Sequence, residues 1–145
     1  MKYRRTQNTI WIRIDKGEPV IETVLKVCEK ENVRAGYFQG IGACEEAVLS
    51  TWIAKKQDFI YHTLTGTLEM ISLMGNITIG NDGHPYSHSH ATFSYLNEKG
   101  EVSVTAGHVK EARIGYTGEI IVNTAENFEI GRMVDPAIGI EVWEL

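Results

Sequence analysis

The sequence predicts an α+β (α/β) domain with a mostly antiparallel β-sheet, one main amphipathic helix and short helical turns. Three observations support this prediction: a single early segment with helical periodicity, many later segments that alternate or are rich in β-branched residues, and short turn signals between them. The composition is that of an ordinary globular protein, with 43% hydrophobic and 23% charged residues. A chain of 145 residues is most simply one domain, so we expect a single domain over residues 1–145.

The first elements are a strand and a helix. Residues 9–15 (TIWIRID) alternate and are β-branched, which predicts a strand. Residues 16–19 (KGEP) then open a helix, because proline is well tolerated in a first turn. Its apolar stripe includes Val20, Val24 and Val27, and the helix is expected to end near Asn32.

The rest of the chain is predicted to be mainly β-structure. Residues 35–43 (AGYFQGIGA) are aromatic and glycine-rich, which favours close backbone approach between elements or subunits. Turn signals occur at residues 55–58, 80–83 and 97–100, and a short helical turn is predicted at residues 109–113. The predicted strands are residues 47–53, 60–66, 69–79, 88–96, 102–108, 118–125 and 139–145.

Charge, hydropathy and cysteine content exclude several classes of protein. The net charge of −5 argues against a non-specific polyanion binder, whose affinity would come from lysine and arginine. No apolar run reaches the roughly 18 residues of a membrane span, and the N-terminus lacks a signal-peptide pattern, so we expect a soluble, cytoplasmic protein. Cys28 and Cys44 form no Cys-X-X-Cys pair and are expected to be free thiols in a reducing compartment.

Three histidines are the main functional signal. His88 and His90 are two residues apart, so in a strand both imidazoles point to one face, roughly 6.5 to 7 Å apart along the backbone. His108 follows in a second predicted strand. Such a set could bind an anionic ligand, or could form the first coordination shell of zinc with a fourth position open.

The turn between these strands decides whether His108 joins the pair. A three-residue loop at residues 98–100, with Gly100 in the left-handed conformation, would pair Asn97 with Glu101. His90 would then lie opposite His108 on one face. A four-residue loop that paired Leu96 with Glu101 would instead turn His108 to the other face. The turn chemistry favours the first arrangement, although residues 97–100 also suit the second.

Other candidate groups give weaker signals. There is no Gly-X-Ser-X-Gly motif, no Walker-type loop and no Cys/His nucleophile spacing. Glu18, Glu45 and Glu46 flank turns and are most simply solvated. His84 follows a turn and could be a fourth ligand or a gate, although solvent exposure is the simpler expectation. His62 has no local partner in the sequence.

Several motifs, in order along nearly the whole chain, resemble the plant and prokaryote conserved (PPC) domain, often called a DNA-binding protein with a PD1-like motif. Gly17 and Glu18 before the amphipathic helix are similar to its opening. Five further segments resemble family motifs: residues 35–43 (AGYFQGIGA), 66–77 (GTLEMISLMGNI), 85–92 (PYSHSHAT), 106–109 (AGHV) and 132–139 (RMVDPAIG).

The resemblance implies a PPC-like fold assembled as a homotrimer. It also implies that His88, His90 and His108 are associated with bound metal, most commonly zinc. The family offers no established enzymatic activity. Its plant members contact DNA through an AT-hook, and no Arg-Gly-Arg-Pro core occurs in this chain.

The sequence thus supports three functional hypotheses. The first is a trimeric, zinc-binding module that engages a protein partner or a small ligand. The second is a zinc-dependent enzyme with a three-histidine site, in which Glu69 or a carboxylate of a neighbouring subunit would serve as general base. The third is a DNA-binding transcriptional regulator, which the acidic charge and the missing AT-hook disfavour.

Overall fold

A computed structural model describes residues 1–145 as a mainly antiparallel β-structure with one helix. The elements are β1 (Lys2–Thr6), β2 (Thr9–Ile14), α1 (Val20–Lys30), β3 (Gly36–Ile53), β4 (Asp58–Ile79), β5 (Pro85–Leu96), β6 (Val102–Thr124), β7 (Gly131–Val134) and β8 (Glu141–Glu144). Strands β1 to β6 form one sheet in the order β1-β2-β6-β3-β4-β5, and β7 pairs with β8 in a separate hairpin. The predicted antiparallel sheet and single main helix are confirmed.

The strands are longer than the sequence predicted. The predicted strands at residues 60–66 and 69–79 are one continuous strand, β4, and the glycine-rich segment is the first half of β3. Glycines at positions such as Gly40 allow β3 and β6 to lie close together, because a Cβ there would approach the carbonyl oxygen of Glu119 to 2.7 Å. Residues 2–6 (KYRRT), for which no element was predicted, form strand β1, paired with β2.

The predicted helical turn at residues 109–113 is wrong, because this segment lies within β6. Val109 and Ala112 are buried and pair with β3, with a register shift that absorbs the irregular spacing of the apolar residues. Glu111 lies between them, and its carboxylate accepts the backbone N–H groups of Ile21 (2.9 Å) and Glu22 (3.2 Å). This strand residue therefore caps the start of α1, whose N-cap Pro19 makes no side-chain capping bond.

The hydrophobic core lies between α1 and the inner face of the sheet. The helix buries its predicted stripe, Val20, Val24, Val27 and Cys28, against strands that contribute large side chains such as Phe93. The helix has eleven residues, and no helix in the structure has the length and apolarity needed to cross a membrane.

One topological feature positions the site. Strand β5 pairs with β4 along most of its length and with the start of β6 at its end. Since β6 also pairs with β3, and β3 with β4, these four strands form a closed circuit of pairings. His108 is the residue at which β6 changes partner: it pairs with His90 of β5 on one side and with Ser50 of β3 on the other.

Candidate metal centre

The three histidines predicted from the sequence come together on one face of the sheet. The hairpin has the three-residue loop, with Asn97 N–H donating to the Glu101 carbonyl at 2.9 Å and Gly100 at a φ of 75°. His90 therefore lies opposite His108, as that loop predicts. The ring centroids of the three imidazoles are 5.2 to 5.4 Å apart.

The donor geometry fits a tetrahedral metal ion. The Nε2 atoms of His88 and His90 are 3.3 Å apart, and one nitrogen from each of the three rings lies within 4.8 Å of the others. Two nitrogen ligands at about 2.0–2.1 Å from a tetrahedral zinc ion are separated by about 3.3–3.4 Å. The pair on β5 already has this separation, and His108 supplies the third nitrogen of the group.

The electrostatic surroundings keep two of these imidazoles neutral. Burial lowers the pKa of His88, and the neighbouring His90 and Arg132 lower it further. Burial also lowers the pKa of His108, with smaller contributions from His88 and His90. Since a metal binds the unprotonated ring nitrogen, a lowered pKa favours the ligand form at neutral pH.

The histidines lie in a cavity of about 890 Å³. One wall is the tip of the β3–β4 hairpin, where Trp52 and Phe59 pack edge to face at 4.9 Å and Phe59 lies 6.1 Å from the ring of His108. A second part of the lining comes from the β7–β8 hairpin, through Arg132, Gly139, Ile140 and Glu141. The cavity thus combines three side chains able to bind a metal, an apolar wall and charged groups, as ligand-binding sites commonly do.

Arg132 is the unexpected member of this cavity. It is only 6% exposed, and its guanidinium carbon lies 4.9 Å from the centre of the Tyr86 ring. Its Nη2 donates to the backbone carbonyl of Glu141 at 2.9 Å, whereas its Nε is buried without any hydrogen-bond partner. No carboxylate forms a salt bridge with it, although a buried charge is ordinarily paired.

Comparison with known proteins agrees with the fold and identifies the family. The sequence model of the Plants and Prokaryotes Conserved (PCC) domain matches residues 1–126. The chain belongs to this family. This is the family that the sequence motifs indicated, and the structure of this PCC domain has the corresponding fold.

Solved structures of similar proteins cover almost the whole chain. A plant- and prokaryote-conserved protein from Pyrococcus horikoshii is 26% identical, with a TM-score of 0.82 over 99% of this chain and 94% of that one. A "putative DNA-binding protein" from Bacteroides thetaiotaomicron is 24% identical, with a TM-score of 0.88 over 99% and 96%. A metal-containing protein from Archaeoglobus fulgidus is 23% identical, with a TM-score of 0.84 over 99% and 97%. No curated protein matches the chain.

The remaining candidates of the sequence analysis do not join the centre. His84 is exposed, and its Nδ1 lies 3.4 Å from the Glu29 carboxylate on α1, away from the three-histidine group. His62 is exposed on β4 and lines no part of the cavity. Glu69, considered as a general base, also lies outside the cavity, whose acidic residues are Asp58 and Glu141.

Three glutamates near predicted turns have ordinary roles. Glu45 and Glu46 are exposed, and Glu18 accepts the backbone N–H of Asp15 at 2.9 Å. None of them lines the cavity of this PCC domain.

The two cysteines play no part in the centre. Cys28 and Cys44 are buried and free, as predicted. Burial raises the pKa of each thiol to about 12, so both stay protonated at neutral pH and behave as small apolar core residues.

The sequence analysis did not identify Arg132, Tyr86 and Phe59 as residues of the cavity that holds the histidines. Arg132 was visible only as part of a family motif, with no role attached. Tyr86 could have been found, because it shares the alternation of His88 and His90 along β5 and so points to the same face. Nothing local in the sequence places Arg132 beside this face, because its contact with Tyr86 joins residues that are far apart in the chain.

Proposed function

We propose that this PCC domain is a trimeric zinc-binding module that engages a small ligand or a protein partner at the three-histidine centre. The observation that carries the proposal is the convergence of three imidazoles, two of them 3.3 Å apart, in a cavity large enough for a ligand. A donor set of three imidazole nitrogens suits zinc and would leave a fourth position for a ligand. The metal-containing relative from Archaeoglobus fulgidus agrees with this proposal.

An apolar outer surface supports the trimer. A row of paired residues crosses the sheet from Trp11 through Ile121, Gln39 and Met74 to His90, so all five share one face. Trp11 is 52% and Met74 64% exposed in the single chain, and Ile121 lies between them in the row. A second and third copy of the chain would cover this surface and place a subunit boundary next to the metal centre.

The first experiment measures metal content and mass together. Native protein is analysed by elemental mass spectrometry beside the double variant His88→Ala/His90→Ala, with His62→Ala as a matched control on an exposed histidine. We expect about one zinc per chain in the parent and in the control, and almost none in the double variant. Equal metal in all three proteins, or none in the parent, would refute the metal centre.

Native mass spectrometry of the same samples measures the oligomeric state. We expect a mass of three chains for the parent protein. Met74→Glu, which places a charge in the apolar row, should shift the protein toward single chains. A monomeric parent protein would refute the trimer while leaving the metal result intact.

A zinc-dependent enzyme is the second candidate, favoured by the open coordination position within a cavity. A zinc ion there would lower the pKa of a bound water toward about 7 or polarise a carbonyl oxygen. The carboxylates available within the chain are Asp58 and Glu141, both on the cavity wall. A hydrolase and lyase screen with His90→Ala as control tests this candidate, since activity that survives the substitution would not depend on the metal.

A further inference from the structure

We propose that the cavity binds a small organic acid, with one carboxylate on the guanidinium of Arg132 and a second oxygen at the open position of the metal centre. This inference rests on the proposed metal centre for one of its two contacts. The other contact depends on Arg132 alone, and the two can be tested separately.

The state of Arg132 is the first argument. A buried guanidinium with an unpartnered Nε and no salt bridge is costly unless a counter-ion completes its surroundings. The Tyr86 ring and the Glu141 carbonyl hold its plane in place and leave donor capacity unused. A planar fork of N–H donors fixed in this way fits a carboxylate, which accepts two parallel hydrogen bonds.

The arrangement along β5 is the second argument. Tyr86, His88 and His90 alternate, so their side chains follow one another on the same face at steps of about 6.5 to 7 Å. Arg132 lies over the first of them, and the metal centre is formed by the other two together with His108. The two anchoring points are therefore separated by a distance that a molecule of a few carbon atoms can span.

The cavity wall is the third argument. Trp52, Phe59 and Ile140 line the space beside the two anchors and provide an apolar surface for a carbon skeleton. Such a surface suits an organic acid better than a bare inorganic anion.

The charge of the cavity favours an anionic ligand. A divalent metal and Arg132 together carry three positive charges, and the two acidic residues of the wall, Asp58 and Glu141, offset two of them. Both acids already accept hydrogen bonds from elsewhere, from the Phe59 backbone N–H and from the Asn81 side chain. The remaining single positive charge favours an anion over a neutral molecule, and the planar donors of Arg132 fit one of its carboxylates.

The test is calorimetric titration with succinate as the probe, on the purified full chain in zinc-loaded and metal-free forms. Succinamide has the same skeleton without charge, and acetate and inorganic phosphate serve as further comparisons. We expect succinate to bind, succinamide not to bind, and acetate and phosphate to bind more weakly than succinate. Arg132→Lys keeps the charge but loses the planar set of N–H donors, and it should weaken the affinity for succinate on the order of tenfold or more.

The control variant is Arg4→Gln, which removes a positive charge from the exposed edge strand β1 and should leave the affinity unchanged. If Arg132→Lys fails to fold, the comparison of succinate with succinamide on the parent protein still decides the inference. Equal binding of these two compounds, tighter binding of phosphate, or an unchanged affinity in folded Arg132→Lys would overturn it.

Cobalt loading separates this inference from the proposed function. The visible absorption of Co²⁺ in the site reports whether the three histidines take up a metal, and a change on adding succinate reports ligand binding at the open position. Absence of the Co²⁺ spectrum would refute the metal centre and the metal contact of the ligand. The Arg132 contact would then be judged on the metal-free protein, where succinate binding must still depend on this residue.

Discussion

Removing one imidazole should abolish metal-dependent stabilisation without weakening the metal-free fold. His90 is exposed and contributes to no core cluster, so His90→Ala should change the free energy of unfolding of the metal-free protein by no more than about 0.5 kcal/mol. The same substitution leaves two of three ligands, and the Nε2 pair with tetrahedral separation is lost. The effect should therefore appear only when metal is present.

The size of the effect follows from binding linkage. A ligand that binds only the native state stabilises it by about 2.7 kcal/mol when its free concentration is about 100 times the dissociation constant. For a domain of this length, 1 kcal/mol corresponds to a shift in Tm of about 2–4 °C. Zinc at that concentration should thus raise the Tm of the parent protein by about 5–10 °C.

Differential scanning calorimetry of chelator-treated protein, with and without zinc, measures this shift. His62→Ala, an exposed strand histidine outside the centre, should keep the full increase, and His90→Ala should lose most of it. An equal rise in Tm for His90→Ala and the parent protein would refute this prediction, because the stabilising zinc would then bind elsewhere. An equal loss of Tm in the metal-free and zinc-bound forms of His90→Ala would also refute it.

Three further predictions follow from the same structure. Folding lowers the pKa values of His88 and His108 below 6.5, so at acidic pH the unfolded chain binds more protons than the folded chain. The free energy of unfolding of the metal-free protein should therefore fall as the pH drops below about 7, and urea denaturation measures this fall. Gly75→Ala should cost about 1–3 kcal/mol by the same assay, since its Cβ would lie 2.4 Å from the Phe38 ring, whereas Gly131→Ala should cost little. Duplex DNA should show no salt-dependent binding in a fluorescence anisotropy titration, and a clear salt slope would revive the DNA-binding hypothesis.

The sequence predicted the centre through alternation and turn chemistry. His88 and His90 are two residues apart, which settles their common face in any strand. The placement of His108 required the choice between two loops, and the geometry of Gly100 decided it. Both inferences depend on local rules, which is why they succeeded before any tertiary contact was known.

The features that the sequence did not predict depend on long-range contacts. Residues 109–113 have spacing that suits a helical turn, but pairing with β3 and the capping contact from Glu111 to α1 hold them in a bulged strand. The continuity of β4 and β6 likewise depends on neighbours that supply hydrogen bonds through the glycine-containing and polar stretches. Local propensity predicts structure poorly where a central strand has hydrogen-bonding partners on both sides.

The two parts of the candidate site come from different parts of the chain, and this division has a functional consequence. His88, His90 and His108 lie in the closed circuit of strands β3 to β6, within the residues that match the PCC family. Arg132 lies beyond that match, on a hairpin of two short strands that lines part of the cavity. Changes in this hairpin should therefore alter binding of the proposed organic acid without moving any of the three histidines. We expect the strand circuit to determine metal binding and the β7–β8 hairpin to determine the choice of organic acid, so that substitutions in the two regions affect different measured quantities.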